Sequence, residues 1–556
     1  MANLVGYKRI LDSVHGYVHV PEYYADNIID TIQFQRLRRI EQTSCRALFP
    51  SARHDRFIHS IGVFHLGTLI AEELWKKCAD KHLPRTERTF IDEKKASKII
   101  ITYRLACLLH DVGHTPFSHT FEDYFINESN ELPETLAKLI PEDNNFLEDF
   151  WYTYNDDSLY AAHEVISAIV AVKYFGQIIQ SKRNKWKNYK TSGDLALLAR
   201  MIVGCYYRQG GDKTASLENA FIELIHGEII DADGLDYVCR DVWASGYSTS
   251  KVDVSRLIDA IMIYRKDNNY TVCYDVKAIN EIRSVLQVKN FQSDFVINHH
   301  SVLLEQEMLK RAMQTAAIYH MKVKKNEDED DDSFRMRALM KLCNIKMYSS
   351  KGFRTKTGIK ITWPMDDDFV SLMKYCANDV YVSQWLSRKY NVVPLWKTKE
   401  SFLADLPING KMEIADSHSW IFNKSKDYII KKFNLKQEYV VFVKFNYKDR
   451  LEKLPNINLY INSNIEKYET IYKIPKKHEE AETGEPMKIL EQQPAYAMDF
   501  QYIFLPLVDV TNTKHDIEEY KKALIQESGL RHKDKEFQDS LLVIIDALRK
   551  YVNKDM

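Results

Sequence analysis

The chain has 556 residues, 45% hydrophobic and 28% charged, the makeup of an ordinary globular protein, which excludes a fibre or wholesale disorder. Seventy-seven basic residues against 78 acidic ones leave a net charge of −1, so no overall field draws it to nucleic acid or to an anionic membrane. The length alone allows roughly two to four domains.

Residues Met1 to Arg9 lack a signal-peptide apolar region, and no stretch reads as long and apolar enough to span a bilayer, so a cytoplasmic protein without a membrane partner is expected. The eight cysteines, at 45, 78, 107, 205, 239, 273, 343 and 376, show no zinc-ribbon or redox-motif spacing and are expected to be reduced and mostly buried.

In chain order, Tyr17 to Val20, bounded by Gly16 and Pro21, reads as a short strand. A helix is predicted next, carrying Asp30, Gln35, Arg36, Arg38 and Arg39, and its plainest reading is a charged surface face. His54 to Val63 opens a helix running to about Cys78, with His59, Val63, Leu66, Ile70 and Leu74 on one core-facing stripe.

The run Ile99 to Leu109 is apolar nearly all round and predicts a buried helix that delivers His110 into an interior. Ile99, Tyr103, Ala106 and His110 share a face, Asp111 lies about a hundred degrees round, and Gly113 and Pro116 end the helix. A lone histidine on such a face is usually a satisfied core residue. A buried His-Asp pair has to be paired or bound to a metal, and His114 and His119 close by favour a metal or phosphate site.

A helix from near Leu159 places His163, Ile166 and Val170 on one face, toward the same cavity. In Glu228 to Asp241, residues 233, 237 and 241 share a helical face. A calcium loop is rejected because Leu235 stands at a ligand position and Val242 where a closing glutamate belongs. Residues 276–325 read as helical, and the acidic run at 324–333 as a solvated loop. Beyond 400, strands are expected at 439–443, 458–461 and 502–505, helices near 516–527 and 538–552, and an exposed loop from Lys473 to Lys488. The expected fold is mainly α: a helical core over residues 1–400 and a smaller C-terminal α/β lobe over 401–556.

His59, His110, Asp111 and Asp233 offer two imidazoles and two carboxylates from three helices, leaving open positions on a six-coordinate ion. Such ligands suit manganese, iron or magnesium, with zinc and nickel also open. A bound divalent ion acidifies its water and screens phosphate charge, as phosphoester hydrolysis requires.

The order His…His-Asp…Asp, set in the blocks Asp30 to Arg38, Arg56 to Val63, His110 to His119 and Asp231 to Asp241, resembles the HD-domain phosphohydrolases. Within them it resembles the dNTP triphosphohydrolases, both the vertebrate sterile-alpha-motif-and-HD-domain branch and the bacterial dNTPase and dGTPase branch. The likeness is dense over residues 8–300, thinner near Arg388 to Lys397 and barely readable beyond 420, and no sterile alpha motif is read in it.

The resemblance implies an all-helical HD core and conversion of a dNTP and water to deoxynucleoside and triphosphate, by metal-activated water attacking the α-phosphorus. It implies His59, His110, Asp111 and Asp233 as metal ligands, Asp233 counting among the catalytic residues, and His119 as general acid with His114 and His163 beside the phosphates. Arg56 and Arg283 become phosphate contacts, Gln42, Tyr237 and Asp241 lie near the sugar, and Gln287, Phe291 and Gln292 complete the substrate pocket. Three positions depart from the vertebrate pattern: Gly234 replaces a phosphate-binding lysine, Gln287 a histidine and Phe291 a tyrosine.

Lys8, Asp30, Gln35 and Arg38 match a guanine-nucleotide site at a subunit contact, implying activation by GTP or a dNTP and a homodimer or homotetramer, although Leu11 replaces an asparagine of that site. The cellular role implied is dNTP control, including antiviral (anti-phage) depletion. The rivals are an HD phosphohydrolase of another, signalling nucleotide, a non-catalytic nucleotide-sensing scaffold, and an HD nuclease, which the neutral charge does not favour.

Overall fold

The structure, a computed structural model, describes residues 6–79, 92–128, 130–154, 160–227, 229–246, 252–266, 269–398, 401, 428–436, 439–445, 450–461, 464–467, 500–506 and 514–530. The chain forms two compact units built from non-contiguous segments. One comprises Met1–Gln292, Ala312–Cys376 and Arg450–Glu480, the other Ser293–Arg311, Ala377–Asp449 and Ala481–Met556. The described fold is mainly α, with small sheets.

The first unit opens with an antiparallel hairpin, β1 (Tyr7–Asp12) and β2 (Gly16–Pro21), in register from Tyr7 opposite Pro21 to Asp12 opposite Gly16. Gly16 takes the left-handed position of the turn at φ 74°, and Asp12 Oδ1 accepts the Val14 and His15 N–H groups at 2.6 and 3.2 Å. The long helix expected next is instead a chain of short turns, at Glu22–Tyr24, Ala25–Ile29, Ile32–Gln35 and Arg36–Arg39. Side chains compete with the backbone there: Thr31 Oγ1 donates to the Ile28 carbonyl and Gln35 Nε2 to that of Ile29. Arg36 turns inward and is fully buried, so the four charged residues do not form a simple surface face.

The core is a set of packed helices, α1 (Arg56–Ala79), α2 (Glu93–Leu109), α3 (Ala162–Ile179), α4 (Leu195–Val203) and α5 (Ala232–Ser245). Asp92 caps α2 by accepting the Lys94 and Lys95 N–H groups, and every residue from Ile99 to Leu109 is buried, as the apolar run predicts. Two glycines set the spacing. A Cβ at Gly62 would collide with Asp236 of α5, and one at Gly113 with the Ser167 backbone of α3.

By length and composition α3 is apolar enough to cross a membrane, contrary to the sequence expectation. It is 67% buried, against α2 and α4, and forms part of the core. All eight cysteines are free, six of them buried.

Strands β3 (Ile261–Lys266) and β4 (Asn269–Asp275) form a hairpin, followed by helix α6 (Ile279–Gln292). The acidic run is only partly a loop. Asp330 caps helix α7 (Asp331–Leu342) by accepting the Ser333 N–H at 2.8 Å, and Arg337 of that helix pairs with Glu329. Helix α8 (Asp366–Lys374) follows in the same unit. The strand expected at 458–461 is present but does not belong to a separate C-terminal lobe. It pairs parallel with β4, Leu459 opposite Tyr274, and completes a four-stranded sheet with Asn464–Lys467.

In the second unit, Phe500–Pro506 is the central strand between Val392–Pro394 and Val441–Phe445, antiparallel to both. Tyr520, on the helix Ile517–Leu530, donates to the Pro506 carbonyl at 2.6 Å. The helix expected at 538–552 and the loop at 473–488 lie outside the described residues.

Candidate active site

Helices α1, α2 and α5 converge on four side chains. His59 Nε2 lies 2.8 Å from Asp233 Oδ1, 3.3 Å from His110 Nε2 and 3.7 Å from Asp111 Oδ2. His110 Nε2 in turn lies 3.6 Å from Asp111 Oδ2 and 3.7 Å from Asp233 Oδ1. His59 and Asp111 are buried, His110 and Asp233 half-buried, so the cluster opens on one side.

Both imidazoles are aimed by their other nitrogen. His59 Nδ1 bonds Asp236 Oδ2 at 2.7 Å, and His110 Nδ1 bonds the Cys107 carbonyl at 3.0 Å, so each presents Nε2 to the cluster. The ligand atoms of His59, His110 and Asp111 lie within 4.8 Å of one another, mixed nitrogen and oxygen donors that could hold a divalent cation.

Burial would pull the His59 pKa down, but Asp233 and Asp236 hold it up at about 10. Burial would raise the Asp111 carboxyl, but the Arg56 guanidinium, helped by His110 and His114, holds it well below the ordinary carboxylate range.

Asp236 was not singled out by the sequence, and it anchors a buried network. It accepts from Arg240 Nε and Nη2, both at 2.8 Å, and bonds His15 Nε2 at 2.6 Å, while Arg240 Nη2 reaches Asp12 Oδ2 at 2.7 Å. The signal was the spacing: Asp236 lies three residues beyond Asp233, one face round the same helix.

A second cluster joins His114, His119 and His163. The rings of His114 and His163 stack at 4.3 Å, and each lies 5.1 Å from that of His119. Glu122, also missed, holds two of them, bonding His163 Nδ1 and lying 3.3 Å from His119 Nδ1. Burial lowers the His163 pKa, yet Glu122 overrides it and holds the ring up at about 9. Burial, with Arg56 and His163 adding to it, keeps His114 well below the histidine range. His114 is therefore neutral and His163 charged near neutral pH.

Arg56 links the clusters. Its Nη1 donates to Asp111 Oδ2 at 2.8 Å, its Nη2 lies 3.4 Å from His119 Nε2, and its Nε and Nη2 donate to Ser118 Oγ and the Gln42 carbonyl at 3.0 and 3.1 Å.

Among the other expected residues, Asp241 Oδ1 bonds His54 Nε2 at 2.7 Å, and Gln292 Nε2 donates to the Val238 carbonyl of α5 at 3.0 Å. Gln42 Oε1, His114 Nε2 and Gln292 Oε1 are buried with no hydrogen-bond partner among the described residues. Arg283 and Phe291 sit half-buried on α6, and Gln287 on the same helix is exposed.

The space over Gly234 is filled from α6. A Cβ there would meet Lys289 Nζ at 2.6 Å. That buried ammonium donates to the Ile229 carbonyl at 3.2 Å, lies 3.9 Å from Asp231 and sits 5.5 Å above the half-buried ring of Tyr237.

Lys8, Asp30, Gln35 and Arg38 form two pairs at the hairpin end. Lys8 Nζ meets Asp30 at 2.6 Å, both half exposed, and Arg38 Nε donates to Gln35 Oε1 at 3.0 Å while its guanidinium lies 3.5 Å over Phe57.

Residues 56–200 match the HD domain family. An HD domain-containing protein of Acanthamoeba polyphaga mimivirus is 26% identical over 301 residues, 54% of this chain and 55% of that protein. The deoxynucleoside triphosphate triphosphohydrolase SAMHD1 homolog of Dictyostelium discoideum is 28% identical over 296 residues, 52% of this chain and 46% of that protein. The human deoxynucleoside triphosphate triphosphohydrolase SAMHD1 is 27% identical over 292 residues, 51% and 40% of the two chains. The chain thus spans about half the length of the curated relatives it matches. In fold it resembles a hypothetical protein from Aquifex aeolicus, with TM-score 0.50 and 20% identity over 93% of this chain and all of that one.

Proposed function

We propose that the protein is a metal-dependent dNTP triphosphohydrolase, yielding a deoxynucleoside and inorganic triphosphate. The observation that carries this reading is the bridge made by Arg56, which ties the His59, His110, Asp111 and Asp233 cluster to His119. A divalent ion held by those four residues, manganese, iron or magnesium by donor type, supplies Lewis acidity and an acidified water.

The protein's own groups supply the rest. His119 gives its proton to the leaving 5′ oxygen, and Glu122 orients its ring. Arg56 and Arg283 grip phosphate oxygens, with His163 charged and His114 neutral beside them. Lys289 supplies the ammonium that Gly234 cannot. Gln42, Tyr237 and Asp241 face the sugar, and Gln287, Phe291 and Gln292 the remainder of the substrate.

The pairs Lys8–Asp30 and Gln35–Arg38 take an activating GTP or dNTP at a contact between copies of the chain, giving a dimer or tetramer. Catalysis belongs to residues 1–400, and the cellular role is dNTP depletion that starves a virus.

The test is product analysis after incubation with each dNTP and each metal. Triphosphate and deoxynucleoside in equal amounts support the reading, and stepwise orthophosphate release from the γ end refutes it. His119→Ala should lower turnover by about a hundredfold.

A further inference from the structure

Asp366 is the first residue of α8, buried, and absent from every residue set described above. Its two oxygens serve two distant stretches of backbone: Oδ1 accepts the Phe117 N–H at 2.6 Å and Oδ2 the Glu41 N–H at 3.0 Å. Each stretch leads straight into the reactive groups. Phe117 and Ser118 come just before His119, and Glu41 just before Gln42, whose carbonyl takes Arg56 Nη2.

Phe117 and Ser118 are consecutive non-glycine residues in the left-handed region, at φ 55° and 52°. Such a conformation persists only where its surroundings over-determine it. The Phe117 N–H bond to Asp366 restrains the turn at its first residue. At its second, Ser118 Oγ donates to the Glu41 carbonyl and accepts Arg56 Nε at 3.0 Å. Asp366, Phe117, Ser118 and Glu41 thus close a ring of hydrogen bonds around the base of Arg56.

We propose that Asp366 is a positioning residue for His119, its carboxylate clamping the Phe117–Ser118 turn to the Glu41–Gln42 segment so that the imidazole faces the leaving oxygen. The inference rests on the reading of His119 as the proton donor. Burial pushes the Asp366 carboxyl up to about 7; ionised, it accepts at both oxygens, whereas an amide in the same place turns one end into a donor facing an N–H.

The full-length metal-loaded protein and its Asp366→Ala and Asp366→Asn variants provide the test, the isosteric Asn variant covering the case in which Ala does not fold. Hydrogen exchange is followed over residues 40–42 and 115–120. Hydrolysis is measured on a dNTP and on bis(p-nitrophenyl) phosphate, whose leaving group departs without a proton.

With metal content unchanged, the expected result is exchange about tenfold or more faster in both segments. Turnover of the dNTP should fall about tenfold or more, with the p-nitrophenyl ester within about threefold of wild type. Equal proportional loss on both substrates, or unchanged exchange, would overturn the proposal. Should the wild type cleave the p-nitrophenyl ester but no dNTP, the dNTPase reading falls, and the exchange measurement still decides the clamp.

Discussion

Replacing Asp236 with asparagine separates the roles of the buried network beneath His59. The carboxylate is fully buried and takes four contacts, from His15, His59 and twice from Arg240, at 2.6 to 2.8 Å. Breaking one side of a buried ion pair costs about 3–5 kcal/mol. Arg240 keeps Asp12, and asparagine keeps one acceptor, so a loss below that range, about 2–3 kcal/mol, is expected for Asp236→Asn. His59 also loses the partner that fixes which nitrogen faces the cluster. Loss of such a partner typically weakens metal binding by about 10- to 100-fold, or roughly 1.4–2.7 kcal/mol. Urea unfolding of the metal-free protein measures the first quantity, and competition with a chelator of known affinity the second. Wild-type metal affinity in a destabilised Asp236→Asn protein would refute the orienting role and leave Asp236 a packing group.

Other outcomes follow from the same geometry. In the metal-free protein His59 sits at about 10, above an unfolded value of about 6.5, so its stabilisation is complete below about 6.5 and disappears as pH rises toward 10. A cation must displace that proton, so apparent metal affinity should rise by roughly tenfold per pH unit over neutral pH, which titration calorimetry in buffers of differing ionisation enthalpy will check. Lys289→Met should weaken competitive inhibition by inorganic triphosphate about tenfold with metal content unchanged; equal inhibition would remove Lys289 from the phosphate site. Leu108→Ala, at a fully buried position of α2, should cost about 2–5 kcal/mol in urea unfolding.

The gathering of His59, His110 and Asp111 into one cluster was legible in the sequence because these residues sit where helical periodicity changes. The apolar run of α2 ends at His110, and the stripe of α1 carries His59 on its buried side, so pattern alone aims them inward. The partners that aim their rings were not legible. Asp12 and His15 come from a hairpin more than two hundred residues before Asp236, and nothing local in Val14 to Gly16 marks a buried contact. The broken turns at 22–39 were hidden for a related reason: Arg36 reads as surface charge until the carbonyls of Val112, His114 and Pro364, which it meets at 3.1, 2.5 and 3.1 Å, are brought together. The strand at 458–461 was readable as a strand, but its partner β4 lies far back in the sequence, and parallel pairing leaves no short-range signature.

The same separation explains why two histidine clusters so near each other can differ in charge. Asp233 and Asp236 face His59, so its ring favours the proton that a cation would displace. His114 has no carboxylate of its own, and Arg56 and His163 both oppose its charging, so it stays neutral. Glu122 reverses the balance one ring away, at His163. Arg56 therefore stands between the His59 cluster and a second cluster in which the Glu122 carboxylate offsets the charge of His163. The exposed His119 lies at the edge of that second cluster, its Nε2 3.4 Å from Arg56 Nη2 and its Nδ1 3.3 Å from Glu122.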